Sequence, residues 1–288
     1  MAPRPSPTLR QRRLGVELRR MREQAGLGSS ELARLLGIAP AQITQIETAK
    51  SGISVDRLYS IADSCMCTNE PLVSALAEII TDRRKSSWWE EYQGILSSQV
   101  LDIAELEEHA TALSCFALAF IPGLLQTRPY ATALFTQTLL PLPQLEVDHR
   151  TAFRLRRQQV IRSGATPCSV FMYEAALRSH VGGRPVLLDQ LSSLLEDSEH
   201  PGISIRIVPF DAAVFPIPSQ DLAYMAGPVP ELDTVQVDQV DSSRLVDSPA
   251  QLGLYRAALA RLSSSALSES ASRDFISSVM KEMQGRDD

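Results

Sequence analysis

The stretch "GIAPAQITQIETAKSGIS", Gly37 to Ser54, decides how the first third of this chain is read. Pro40 suits the first turn of a helix, where its fixed φ is already helical and its missing N–H had no partner to lose. Ile43 and Ile46 stand three apart and share one side of that helix. Ala41, Gln42, Thr44 and Gln45 fall elsewhere on its surface. The spacing therefore predicts a short helix over about 40–48 with isoleucines behind it and small or amide side chains in front. A surface of that kind fits a groove and meets hydrogen-bonding edges inside it.

Outward from this segment the pattern stays helical. Leu14, Leu18, Met21 and Ala25 fall on one face of a helix that starts near Leu9, and Gly26 is a natural stop. A second helix runs over about Ser29–Leu36, with Leu32, Leu35 and Leu36 apolar and with Gly28 and Glu31 at capping-box spacing. Gly37 then turns the chain into the quoted helix. Ser54 opens a fourth helix (Leu58, Ile61, Ala62), and Asn69 with Pro71 opens a fifth (Leu72, Leu76, Ile79, Ile80). Short helices in this order, the second and third joined by a glycine turn, form a helix-turn-helix layout.

The segment "GLGSSELARLLGIAPAQITQIETAKSGISVDRLYSIADSC" resembles the Cro/repressor-type (XRE-like) DNA-binding domain. It agrees at Leu32, Ala33, Leu36, Gly37, Ile43, Ile46 and Glu47. It departs at Ser29, where that family often carries a phosphate-contacting Gln, at Ala39, where a capping Ser is usual, and at Ala49, where Gly is usual. The resemblance implies that the third helix enters the major groove with its N-terminal half on base edges. Gln42 and Gln45 are then the expected readers, because a Gln amide pairs bidentately with N6 and N7 of adenine. Ala41 and Thr44 are secondary contacts suited to the thymine methyl. The expected phosphate contacts are Arg12, Arg13, Arg20, Ser29, Ser30 and Lys50.

At 288 residues, with 44% hydrophobic and 22% charged residues, the composition is that of a folded soluble protein long enough for two domains. The longest apolar run, "LSCFALAFIPGLL", is broken by Pro122 and Gly123 and is too short to cross a membrane. No apolar segment follows the basic "MAPRPSPTLRQRR", so no secretory signal is expected, and a cytoplasmic location is. The net charge of −6 hides an asymmetry. Residues 1–85 carry 13 Lys+Arg against 9 Asp+Glu, and residues 86–288 carry 15 against 25. Arg4, Arg10, Arg12, Arg13, Arg19, Arg20 and Arg22 face only Glu17 within the first 22 residues, which suggests that this end meets a polyanion.

Cys65, Cys67, Cys115 and Cys168 are too scattered for a disulfide framework or a tetrahedral zinc site. The four histidines, His109, His149, His180 and His200, lie in separate segments. H-E-x-x-H, G-x-S-x-G, phosphate-loop and dinucleotide-binding patterns do not occur. Neither catalysis nor a metal nor a cofactor is expected.

In the second half, "FIPGLLQTRPYATALF", "RLRRQQVI", "MYEAALRSHVGG", "QLSSLL" and "ISIRIVPF" follow in that order. Together they resemble the DUF5753-type C-terminal module of actinobacterial XRE regulators, often labelled antitoxin-like, whose partners are small DUF397-type proteins. From the residues themselves, Leu124–Phe135 reads as a helix and Val147–Ser163 as one basic amphipathic helix. Its Arg154, Arg156 and Arg157 are candidates for an anionic ligand or an acidic partner. "CSVFMY", "ISIRIVPF", "DLAYMAG" and "TVQVDQV" read as strands, and Pro249–Leu262 and Ser270–Met283 as helices.

The expected fold is mainly α with a smaller α+β part. A basic, Pro-rich disordered tail (1–8) leads into a five-helix DNA-binding domain (9–82). A hinge or linker helix (83–98), with Trp88, Trp89 and Tyr92 as core or interface aromatics, then leads to an α+β regulatory and dimerisation domain (99–288) with a small sheet. The expected partners are double-stranded operator DNA, palindromic in form, and a second copy of the chain, with a small DUF397-type protein as a further partner and no membrane. The function implied is sequence-specific regulation of transcription. The alternative is an antitoxin that neutralises its partner and binds DNA for autoregulation.

Overall fold

The computed structural model describes residues 7–82, 87–212, 220–238 and 243–285. Most of the expected N-terminal tail and Arg83–Ser86 of the expected hinge lie outside the described residues, as does the end of "TVQVDQV". The chain divides into two compact units, Met1–Leu106 and Glu107–Asp288.

The first unit holds α1 (Leu9–Gln24), α2 (Ser29–Leu36), α3 (Pro40–Glu47), α4 (Val55–Ser64) and α5 (Glu70–Asp82), close to the expected boundaries. Local chemistry sets the ends. Thr8 accepts from the Gln11 N–H while the Gln11 side chain returns to the Thr8 N–H, a complete capping box at α1. Ser54 and Asn69 cap α4 and α5 through their side-chain oxygens. Gly37 ends α2 at φ +65°, a conformation that glycine adopts without strain. Ala49, after α3, holds φ +57° although it is not glycine, at a cost of about 1–2 kcal/mol. Leu18, Met21, Leu32, Ile43, Leu58, Ile61 and Leu76 form the core, each burial contributing roughly 1.5–3 kcal/mol. Further on, Trp89 is buried, and Trp88 packs edge-on against both Trp89 and Tyr92.

In the second unit, a six-stranded mixed sheet runs in the order β3-β2-β1-β4-β5-β6. Its strands are β1 (Ala112–Ala117), β2 (Cys168–Tyr173), β3 (Ile203–Val208), β4 (Leu222–Ala226), β5 (Thr234–Asp238) and β6 (Ser243–Val246). β1, β2 and β3 are parallel, and the helices between them provide the crossovers that parallel pairing requires. β4, β5 and β6 extend the sheet antiparallel from β1. α6 (Ser98–Glu108), most of which belongs to the first unit, precedes β1. α7 (Arg128–Thr136), α8 (Gln144–Arg157) and α9 (Gln159–Arg162) lie between β1 and β2, and α10 (Glu174–Arg178) and α11 (Arg184–Asp197) between β2 and β3. α12 (Pro249–Ser265) and α13 (Glu269–Gln284) close the chain. Phe116, Phe171, Leu222, Tyr224, Val235 and Val237 share one sheet face and pack with Leu252 and Leu262 of α12. Among the described residues no helix is long and apolar enough to cross a membrane.

Three expectations need correction. β1 and β6 were not anticipated, so the sheet is larger than expected. The helix foreseen from Leu124 begins at Arg128: a 3-10 turn occupies Gly123–Leu125, and Thr127 caps the helix proper with Pro129 in its first turn. The single basic helix over Val147–Ser163 is two helices, α8 and α9, interrupted at Gln158. There the buried Gln158 amide donates to the carbonyls of Gly123 and Gln126.

Candidate nucleic-acid interface

α3 is held from behind. Ile43 and Ile46 are buried, 2% and 9% exposed, whereas Ala41, Gln42, Thr44 and Gln45 are all exposed, as the spacing predicted. Two further contacts fix the helix against α1. Gly15, in mid-α1, lies so close to the end of α3 that a Cβ there would come within 2.5 Å of the Glu47 carbonyl oxygen. Arg22 of α1 donates from Nε and Nη2 to the two Glu47 carboxylate oxygens at 2.6 and 2.9 Å, and from Nη1 to the Leu27 carbonyl at 2.9 Å. Hydrogen bonding to that carboxylate raises the Arg22 pKa. The pair is almost buried, so neither charge is easily lost. From α4, Arg57 donates to the Leu36 carbonyl at the end of α2. None of these supports follows from the outward spacing of α3 alone. An unusual glycine inside a helical pattern was the one available signal for Gly15.

The Gln42 side chain bends back, and its Oε1 accepts from the Ala39 N–H at 3.1 Å. Ala39 has no side-chain oxygen to cap α3, so Gln42 supplies half a capping box. Bidentate pairing with adenine uses both the oxygen and the nitrogen of a Gln amide. Gln42 must therefore release its own helix end to pair in that way.

The expected phosphate contacts separate into two groups. Ser30 and Lys50 are exposed and Ser29 is partly so. Gly28, before Ser29, makes no side-chain cap, and the Glu31 and Leu32 N–H groups donate to its carbonyl. The arginines of α1 differ. Arg13 is 7% exposed and faces Glu17 at 3.2 Å. Arg20 donates to the same Glu17. Arg12 donates to Asp102 at 2.7 Å, and the other Asp102 oxygen accepts the Leu9 N–H. Arg10 lies 3.7 Å from Asp82, and burial lowers its pKa even though Glu105 and Asp82 oppose that effect. The concentration of positive charge in the sequence is thus largely neutralised within the first unit.

In the second unit, Arg154 and Arg157 of α8 line a cavity of about 220 Å³, and Arg156 is not among its lining residues. Arg157 donates through Nε and Nη2 to both Glu107 oxygens at 2.8 and 2.6 Å. Burial alone would lower the Arg157 pKa, and Glu107 outweighs it. Arg154 donates to Gln126 Oε1 at 2.6 Å and lies 4.2 Å above the Phe135 ring. Burial, and secondarily the Arg157 charge, brings its pKa down to about 10, so it remains a cation at neutral pH.

A family model described as a helix-turn-helix domain matches residues 13–76. A second, described as a domain of unknown function (DUF5753), matches residues 100–278, well over half of the chain. Comparison with curated proteins and with solved structures gives no significant match. Taken with the exposed outer face of α3 and the mixed sheet of the second unit, these matches establish that the chain belongs to the DUF5753 family, as a regulator carrying an N-terminal helix-turn-helix domain.

Proposed function

We propose that this DNA-binding regulator is a sequence-specific, dimeric transcription factor. Residues 9–82 read an operator, and residues 99–288 supply the dimer interface and respond to a small partner protein or ligand. The observation that carries the reading is the two-sidedness of α3: Ile43 and Ile46 buried, Ala41, Gln42, Thr44 and Gln45 bare. Gln42 and Gln45 contact base edges, with Ala41 and Thr44 beside them. Ser29, Ser30 and Lys50 hold phosphates. Arg12 and Arg20 reach the backbone only by leaving Asp102 and Glu17, and Arg13 serves chiefly to hold Glu17 in place.

One helix-turn-helix domain contacts few base pairs, and a dimer reads two half-sites about 34 Å apart on a palindromic operator. Footprinting of the purified chain on DNA upstream of its own gene tests this. Two protected patches one helical turn apart, with a dimer on gel filtration, are expected. A monomer at micromolar concentration, or no protected sequence, contradicts the proposal.

A second reading, neutralisation of a small partner protein with DNA binding for autoregulation, has its own support. Leu139, Leu140 and Leu145, close together in sequence, are 87%, 80% and 67% exposed, apolar side chains of the kind that protein partners cover. Growth arrest by a neighbouring short reading frame, relieved by co-expression of this chain, would favour it. Normal growth would remove it.

A further inference from the structure

The cavity beside α8 has a floor set by strand register. Cys115 of β1 pairs with Ala223 of β4, and Ala223 pairs with Gln236 of β5, so this row presents small and amide side chains to the cavity. The opposite sheet face carries the large apolar residues that pack on α12. One wall is Arg154, which is held rather than free to swing. Its Nη1 is fixed on Gln126, a residue only 3% exposed whose own amide donates to the Ile121 carbonyl at 2.6 Å. The Phe135 ring supports the guanidinium. Gly123 adds no side chain over it: a Cβ there would sit 3.4 Å from Nε.

Arg154 nevertheless faces no carboxylate within ion-pair distance among the described residues, and its buried Nε has no hydrogen-bond partner. A buried guanidinium is normally paired, as Arg157 is with Glu107 in the same cavity. The lining also includes two carboxylates besides Glu107. Asp221 and Asp238 stand side by side where β4 and β5 meet, joined by a hydrogen bond from the Asp238 N–H to the Asp221 carbonyl at 3.2 Å. With the Arg157–Glu107 pair neutral overall, the remaining charges of the lining are one guanidinium and two carboxylates. Its 220 Å³ lies below the roughly 300–1,000 Å³ typical of sites for drug-sized ligands.

We propose that this cavity binds a small zwitterion of the amino-acid or short-peptide class, its carboxylate on Arg154 and its ammonium group against Asp221 and Asp238. The carboxylate answers the Arg154 charge, which no carboxylate of the described residues pairs, and the ammonium is held by the free oxygens of the two aspartates, whose Oδ1 atoms accept from the Leu118 N–H and from Gln236 and Ser243. The site gives chemical content to the ligand response proposed for the C-terminal module, and it rests on that reading.

Calorimetry and thermal denaturation of the full chain test the proposal. The probes are the free amino acids and a set of dipeptides, each compared with the amine lacking the carboxylate and the acid lacking the ammonium. Some zwitterions should bind saturably and raise the midpoint by about 3 °C or more at millimolar concentration, whereas the matched amines and acids should bind at least tenfold more weakly. Arg154→Met should abolish binding. So should Ala223→Leu, which fills the cavity without altering a charge. The absence of a binding zwitterion, equal binding of the simple acids, or retention of binding by both variants would overturn the site. A ligand that binds but leaves operator footprints unchanged would sustain the site and overturn the ligand-responsive role, so the two failures are distinguishable.

Discussion

α1 and α8 are both rich in arginine, and they use that charge differently. In α1, Arg12, Arg13, Arg20 and Arg22 face Asp102, Glu17 and Glu47, so most of the helix is a structural brace. In α8, Arg157 is braced in the same way by Glu107, but Arg154 is held by an amide and an aromatic ring, with one donor unused. Arginine density in a sequence therefore does not locate a polyanion site. What decides is whether a carboxylate, often distant in sequence, has already claimed the charge. By that criterion Lys50, exposed and with no carboxylate paired to it among the described residues, differs from the paired arginines of α1.

The largest effect that would break this contrast is at Arg22. Arg22→Met leaves Glu47 buried without its partner and should cost about 3–5 kcal/mol in urea denaturation, with much of it recovered when Glu47→Met is added. A loss under 1 kcal/mol would mean that the brace is ornamental. A smaller and more discriminating effect separates Arg13 from Lys50. Arg13→Ala should lower stability by about 1–3 kcal/mol and leave the salt dependence of DNA binding unchanged. Lys50→Ala should leave stability alone and reduce the slope of log K against log salt by about 0.9. The reverse pattern would return the α1 arginines to the DNA.

The sequence was legible where a single local period governs the structure. The isoleucine spacing of α3 revealed both the helix and its outward face, and Gly37 and Ser54 marked their turns through conformation and capping. It was opaque where the partner lies far along the chain. Asp102 neutralises Arg12 across 90 residues, and Gln158 meets the Gln126 carbonyl across 32. β1 escaped notice for another reason. Its burial alternates only from Ala112 to Cys115, and Cys115, Phe116 and Ala117 are then buried in succession, which leaves too short an alternation to mark a strand. Of the three α8 arginines singled out, the sequence could not show that Arg154 and Arg157 line the cavity and Arg156 does not.

The central claim is that the outer face of α3 selects DNA sequence. Selection of binding sites from a random duplex library by the intact chain, and in parallel by Gln42→Ala and Gln45→Ala, tests it most directly. Each variant should lose about 1–3 kcal/mol of preference at a different base pair and keep the rest of the motif. Identical motifs from all three proteins would contradict the account.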